Sequence, residues 1–275
     1  MKVSDNSDKA GVKYWDKTER NSTNFDQVFG PLPGVRGFGR RAWHKWFKQV
    51  LLPLAHPDAE LLELGCGGSA FLPYFSRNFG FKVSGIDYSK GGVELASDLC
   101  LRYNVSPELH CADIFNPPAK CLGRYDVVVS FGLVEHFTDT TNTIRSFMEF
   151  LRPGGKLLTV APNMQGISGF AQKHIAPDIY AIHEVIDIER FRIAHENAGL
   201  ELEFCDYFLF NNFGVVNPGI NPSRSVKFTF AILRALTALT WTIESVAGAL
   251  PANRWTSPYV ISLATKPSII SSLAK

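Results

Sequence analysis

The stretch Leu61-Leu62-Glu63-Leu64-Gly65-Cys66-Gly67-Gly68-Ser69-Ala70 constrains this chain more than any other. A short apolar run stops at Leu64, breaks into glycines, and gives way to helix-forming residues. A strand that ends in a tight turn and enters a helix opens a crossover unit. Such units commit a chain to a mainly parallel sheet flanked by helices. Glycines let the backbone turn sharply and approach a ligand with no Cβ in the way. Ligands of open α/β sheets lodge beyond the carboxyl ends of the strands, so this turn is placed for a nucleotide-like cofactor.

The alternation continues downstream. Strands are predicted over 60–64, 82–87, 108–111, 125–131, 156–161, 200–210 and 257–265. Helices are predicted over 70–78, 92–103, 140–151 and 186–198. An earlier helix, 40–54, carries Trp43, Trp46, Phe47, Val50 and Leu51 at helical spacing. Residues 1–33 are polar, with scattered Tyr14, Trp15, Phe25 and Phe29, and read as an arm that orders on contact. Residues 211–256 interrupt the rhythm. The expected organisation is an N-terminal arm and helix over 1–56, a core over 57–210 and 257–268, and a helical insertion or cap over 211–256.

The glycine turn alone admits two cofactors. Gly65-x-Gly67-x-x-Ala70 also fits a dinucleotide fingerprint, and Asp87 follows at the distance of a ribose-binding acid. Three features favour a sulfonium cofactor. Glu63 lies inside the motif, where an acid serves a cationic ammonium group and repels a pyrophosphate. Acids recur at successive strand ends, as Glu63, Asp87 and Asp113. A turn, Arg152-Pro153-Gly154-Gly155, follows the fourth main strand. Together with Cys111-Ala112-Asp113 and Asp126-Val127-Val128-Val129-Ser130, these motifs resemble the class I S-adenosylmethionine-dependent methyltransferases of the small-molecule type. The resemblance covers roughly 61–161 and the final strand.

That resemblance implies a Rossmann-like, seven-stranded, mostly parallel sheet. Its antiparallel last strand would pack between the fifth and sixth, with the N-terminal helical arm and the insertion as additions. It implies S-adenosyl-L-methionine as cofactor. Glu63, Leu64, Gly65, Cys66, Gly67 and Gly68 would face its methionine part. Asp87 and Tyr88 would hold the ribose, Ala112, Asp113 and Ile114 the adenine, and Ser130, Phe131 and Gly132 would lie beside it. An NAD-binding oxidoreductase and a non-catalytic cofactor-binding module are the competing functions.

Methyl transfer from a sulfonium is an in-line displacement, so alignment supplies much of the acceleration. A base is needed where the acceptor has a proton to lose. His136, in Phe131-Gly132-Leu133-Val134-Glu135-His136-Phe137, is the candidate catalytic residue. The stretch resembles the Glu-His segment of ubiquinone-pathway O-methyltransferases, which points to transfer at oxygen. No metal is expected. Glu135 and His136 are adjacent and would not converge on an ion without other ligands. His174 and His183 lie in a segment that often contacts the acceptor in this family.

Residues 226–250 are apolar, with Ile232, Leu236, Leu239, Ile243, Val246 and Leu250 on one helical face. Arg234 and Glu244 interrupt the run, leaving an uncharged core too short for a membrane span. The face suits packing on the domain, a homodimer, or peripheral contact with a membrane and a lipid-like acceptor. Arg36, Arg40, Arg41, Lys45 and Lys48 beside Trp43 and Trp46 suit anionic headgroups. Net charge is +2 with no basic tract, which argues against nucleic acid. The five cysteines form no C-x-x-C pair, and residues 1–30 show no signal-peptide pattern. A reducing, cytoplasmic setting follows as the expectation, with membrane association where the apolar helix meets a bilayer.

Overall fold

The computed structural model describes residues 8–11, 14, 15 and 29–268. Phe25 and most of the predicted arm therefore lie outside the described residues. Strands β1 (Glu60–Leu64), β2 (Lys82–Asp87), β3 (Glu108–Cys111), β4 (Tyr125–Phe131), β5 (Leu151–Pro162), β6 (Glu201–Phe208) and β7 (Tyr259–Thr265) form one sheet. Their order is β3-β2-β1-β4-β5-β7-β6. Strands β1 to β5 pair in parallel, and β7 runs antiparallel to both β5 and β6. The expected Rossmann-like topology is present, including the last strand inserted between its two predecessors.

Helices α1 (Phe38–Leu51), α2 (Leu72–Phe79), α3 (Lys90–Arg102), α4 (Thr140–Glu149) and α7 (Ile188–Ala198) cover the sheet. Alternation along each strand feeds two separate cores. Leu62, Leu64 and Val128 pack with Ile144, Phe147 and Phe191 from α4 and α7. Leu61, Val127 and Val129 point the other way, onto Phe47, Phe75 and Phe79 from α1 and α2. Phe47 is wholly buried, which contributes roughly 2–3 kcal/mol. Glu63 shares the parity of Leu61, so the fold drives a carboxyl group into this second layer.

Several boundaries differ from the sequence reading, for local reasons. The first helix ends at Leu51, because Pro53 tightens 52–54 into a 3-10 turn. Helix α3 begins at Lys90, where the Ser89 side chain caps by accepting from the Gly92 amide. Helix α4 stops at Glu149 rather than Leu151. The predicted Arg152-Pro153-Gly154-Gly155 turn is instead the irregular start of β5, where Gly154 donates to the Lys266 carbonyl and Lys266 donates to that of Gly155. Two helices, α5 (Ile167–Ile175) and α6 (Pro177–Ala181), occupy a segment for which no element is predicted. The insertion holds α8 (Arg224–Ala247), a helix of 24 residues.

Candidate active site

The carboxyl ends of β1, β2, β3 and β4 converge on a cavity of about 370 Å³. It is lined by Gly65 and Gly67 from the first turn, Asp87 and Tyr88 from the second, and Ala112, Asp113 and Ile114 from the third. Phe131, Gly132 and His136 close it after β4. Gly65 has φ +71°, and a Cβ there would sit 3.1 Å from Leu133. The bare backbone is thus required both by the turn and by the space. Asp87 is buried, and its two oxygens accept from the Gly67 and Ser89 amides at 2.8 Å each. One carboxylate therefore ties the glycine turn to the start of α3, with its edge in the cavity. Asp113 accepts from the Phe115 amide at 3.0 Å, which fixes the third loop. Phe115 and Phe137 meet edge to face at 5.0 Å and supply an apolar wall for a flat ring.

Other predicted cofactor residues fall outside this lining. Leu64 and Cys66 are wholly buried in the two core layers, and Gly68 donates to the Gly92 carbonyl. Ser130 is wholly buried within the sheet. Glu63 also lies outside it. Its carboxyl group accepts from the Ser69 hydroxyl, and Ser69 Oγ in turn accepts from the Phe71 and Leu72 amides at the start of α2. Burial, opposed by the Ser69 bond and reinforced by nearby Asp87, pushes its pKa up to about 8. At neutral pH it holds a proton. It braces the glycine turn from behind and lies outside the residues that line the cavity.

A second cavity, of about 530 Å³, lies against the first. Trp15, Phe131, Gly132 and His136 line both. Its walls are aromatic: Phe29, Phe71 and Phe131 pack together, Phe71 stacking on Phe131 at 4.2 Å, and Trp43, Trp241 and Tyr259 complete them. Three of its polar members, Glu135, His136 and His183, gather in one place. Glu135 and His136 ride a 3-10 turn, Val134–His136, and His183 arrives from the loop after α6. The Glu184 amide donates to the Glu135 carbonyl at 2.6 Å and holds the two segments together. The imidazoles of His136 and His183 lie 4.6 Å apart. His174 instead bonds within its own helix and stays outside both cavities.

His136 is buried, and its Nδ1 lies 3.0 Å from the Ile182 carbonyl. A carbonyl only accepts, so Nδ1 carries the proton and Nε2 keeps its lone pair. Burial, then the neighbouring His183, lowers its pKa to about 4, so the ring is neutral. Burial raises that of Glu135 to about 8.

The N-terminal arm reaches this point. Lys9 donates its amide to the His136 carbonyl, and its ammonium to the His183 carbonyl and to Glu184. Tyr88 donates to Asp8, and Trp15 meets His136 edge to face at 5.0 Å. Sequence reasoning singled out neither Asp8 nor Lys9. Their signal was only that of a polar arm.

With this geometry in view, likeness to known proteins is informative. A family model described as "Methyltransferase domain" matches residues 35–204. The chain belongs to the methyltransferase-domain family. The chain is 28% identical over 161 residues to phosphoethanolamine N-methyltransferase 3 of Arabidopsis thaliana, covering 58% of this chain and 32% of that one. It is 31% identical over 99 residues to a ubiquinone biosynthesis O-methyltransferase of Xanthomonas axonopodis pv. citri (strain 306), covering 36% and 41%. It thus spans less than half the length of these curated relatives. Among solved structures, geranyl diphosphate C-methyltransferase from Streptomyces coelicolor A3(2) superposes with TM-score 0.58 at 14% identity, over 93% of this chain and 97% of that one. That structure holds S-adenosyl-L-homocysteine. The cyclase SpnF matches with TM-score 0.61 at 17% identity, over 95% and 97%. The Rossmann-like methyltransferase fold is therefore secure, and with it S-adenosylmethionine as the family's cofactor. The residues here fit that group: a bare glycine turn, a carboxylate at the second strand end, and an apolar slot at the third. Because a cyclase shares the fold, the reaction must be argued from the site.

Proposed function

We propose that this protein transfers the methyl group of S-adenosylmethionine to an oxygen of a small or lipid-linked acceptor. The observation that carries the reading is the pair of adjoining cavities that share Phe131, Gly132 and His136. Bound in the smaller one, S-adenosylmethionine supplies an activated methyl group. Asp87 and the glycine turn orient it, and Phe131 and Gly132 form the passage to the acceptor. Alignment of this kind is what an in-line displacement chiefly needs. His136, at the junction with a lone pair on Nε2, is the residue assigned to the acceptor's hydroxyl. The arm and the insertion act as a cap: Tyr14, Trp15, Asn212 and Trp241 line the acceptor cavity from outside the core. The names of the relatives, which span oxygen, nitrogen and carbon acceptors, agree with the class and leave the atom to the site.

A lipid-like acceptor is favoured by α8. Its inner side is seated on α1, where the Trp241 ring lies 5.9 Å from that of Phe38, and within the insertion Trp241 donates to the Asn211 carbonyl and Thr237 accepts from the Phe213 amide. Phe228, Leu239 and Val246 are 69%, 58% and 87% exposed, and with Ile232, Leu236 and Ile243 they form an outward apolar face. By length and composition alone α8 is apolar enough to cross a membrane. Its seat on the protein supports a helix lying on one instead. Its exposed charges, Arg224, Lys227 and Arg234, are all basic, while Glu244 is buried and accepts from the Leu250 amide. This pattern suits the surface of an anionic bilayer on the cytoplasmic side.

Calorimetry with S-adenosylhomocysteine and NADH tests the cofactor. Incubation with labelled cofactor and a fractionated cell extract tests the acceptor. Label in the lipid fraction is expected. Cofactor binding with no labelled product from any fraction would leave a binding module or a cyclase-like activity. Flotation with anionic vesicles should fail for Leu239→Glu, and a dimer that does not float would assign the face to a second copy.

A further inference from the structure

We propose that Glu135, His136 and His183 form a binding site for one divalent transition-metal ion of the zinc type in the wall of the acceptor cavity. The ligand set is the first argument. One atom from each residue lies within 4.8 Å of the other two, and Glu135 Oε1 is 4.0 Å from His136 Nε2. Two imidazoles and a carboxylate are a donor set that zinc-type ions favour. Bonds of about 2.0–2.2 Å would hold such atoms roughly 3.3–3.5 Å apart, so side-chain rotations closing up to about 1.5 Å complete the site.

Orientation is the second argument. His136 donates from Nδ1 to the Ile182 carbonyl, and His183 donates from Nδ1 to the Ile179 carbonyl at 2.7 Å. Both rings are thereby held in the tautomer that leaves Nε2 free. A backbone acceptor behind each imidazole is the usual support of a metal-binding histidine. The third argument is the carboxyl group. Glu135 is 2% exposed, and its Oε2 is buried with no hydrogen-bond partner. A buried polar atom left unpaired is costly, and an ion supplies the missing partner.

The sequence expectation of no metal rests on Glu135 and His136 alone, because adjacent residues do not converge without a third ligand. The fold adds His183, carried in by the loop after α6. The loop is fixed there by the Glu184 amide on the Glu135 carbonyl and by Lys9 on the His183 carbonyl.

All three residues line the acceptor cavity, so an ion among them is open to an acceptor's oxygen. A metal lowers the pKa of an oxygen bound to it. The hydroxyl proton then leaves to solvent. The oxygen forms the bond to the methyl carbon, and the C–S electron pair returns to sulfur. His136 thus acts on the acceptor through the ion. This role rests on the methyl-transfer reading above, whereas ion binding itself does not.

Equilibrium dialysis of the metal-stripped full chain against Zn2+ and Co2+ tests the site. One ion per chain is expected, with visible Co2+ absorption of a nitrogen and oxygen environment. Glu135→Gln and His183→Ala should each weaken binding at least tenfold. His183 lies outside the cofactor cavity, so His183→Ala should still bind S-adenosylhomocysteine, which certifies its fold. Undiminished binding in both variants, or a thiolate charge-transfer band, would overturn the site. Should a variant misfold, X-ray absorption of the zinc-loaded wild type decides: imidazole scattering supports the proposal and sulfur ligation refutes it. Full methyl transfer by stripped protein refutes the ion's role in transfer and leaves the methyltransferase reading standing. A bound ion with no transfer leaves the site standing and sinks the methyltransferase reading.

Discussion

Replacement of Glu63 by glutamine should abolish a specific loss of stability as pH rises. The Glu63 carboxyl group titrates near 8 when folded and near 4.5 when unfolded. Between these values the folded state keeps a proton that the unfolded state has released. Folding then takes up a proton, and stability falls as pH climbs through the window. Each pH unit costs about 1.4 kcal/mol. From about pH 5.5 to about pH 7.5 the wild type should therefore lose roughly 2–3 kcal/mol on account of this group. The substituted amide cannot ionise, and its carbonyl oxygen still accepts from the Ser69 hydroxyl. Glu135, His136 and His183 titrate in both proteins, so the difference between the two pH dependences isolates Glu63. Urea denaturation at the two pH values measures it. Parallel curves, agreeing within about 0.5 kcal/mol, would refute the buried protonated acid. The variant should also bind S-adenosylhomocysteine within a few-fold of wild type, because Glu63 does not line the cofactor cavity. A tenfold loss at neutral pH would restore a direct role toward the cofactor's ammonium group.

Asp87→Asn replaces a charged acceptor of two backbone amides with a neutral one. S-adenosylhomocysteine binding by calorimetry should weaken by roughly 1–3 kcal/mol. Gly65→Ala meets both a φ of +71° and the side chain of Leu133. Thermal melts should show a destabilisation of about 1–2 kcal/mol, with cofactor affinity lowered alongside. His136→Ala should reduce turnover far more than cofactor affinity, and equal losses would assign the ring to packing. Because burial holds the His136 pKa near 4, the wild-type rate should show no titration at the ordinary histidine pKa of about 6.5. A rate that steps there would contradict the neutral, carbonyl-bonded ring. Trp15→Ala removes the edge contact on His136 and a wall shared by both cavities. Acceptor KM should rise several-fold, with cofactor affinity less affected.

Local sequence determined the crossover pattern, the glycine turn and the acids at the second and third strand ends, because these depend on residues close together along the chain. Period and turn chemistry act over a few residues, and they place Gly65, Gly67, Asp87 and Asp113 at the ends of neighbouring strands before any packing is known. The outward apolar stripe of α8 follows from the same periodicity. Only the tertiary structure decided which of these groups face the ligand. Strand parity sends Glu63 into the helix layer, where loss of water protonates it and makes it a brace for the turn. The convergence of His183 on Glu135 and His136 joins segments far apart in the chain and depends on backbone carbonyls that no side-chain pattern announces. The strap of Asp8 and Lys9 across the same turn is likewise a contact between segments remote in sequence. Local propensity can place a residue on a strand or a turn, but desolvation and convergence are set by what the rest of the chain packs around it.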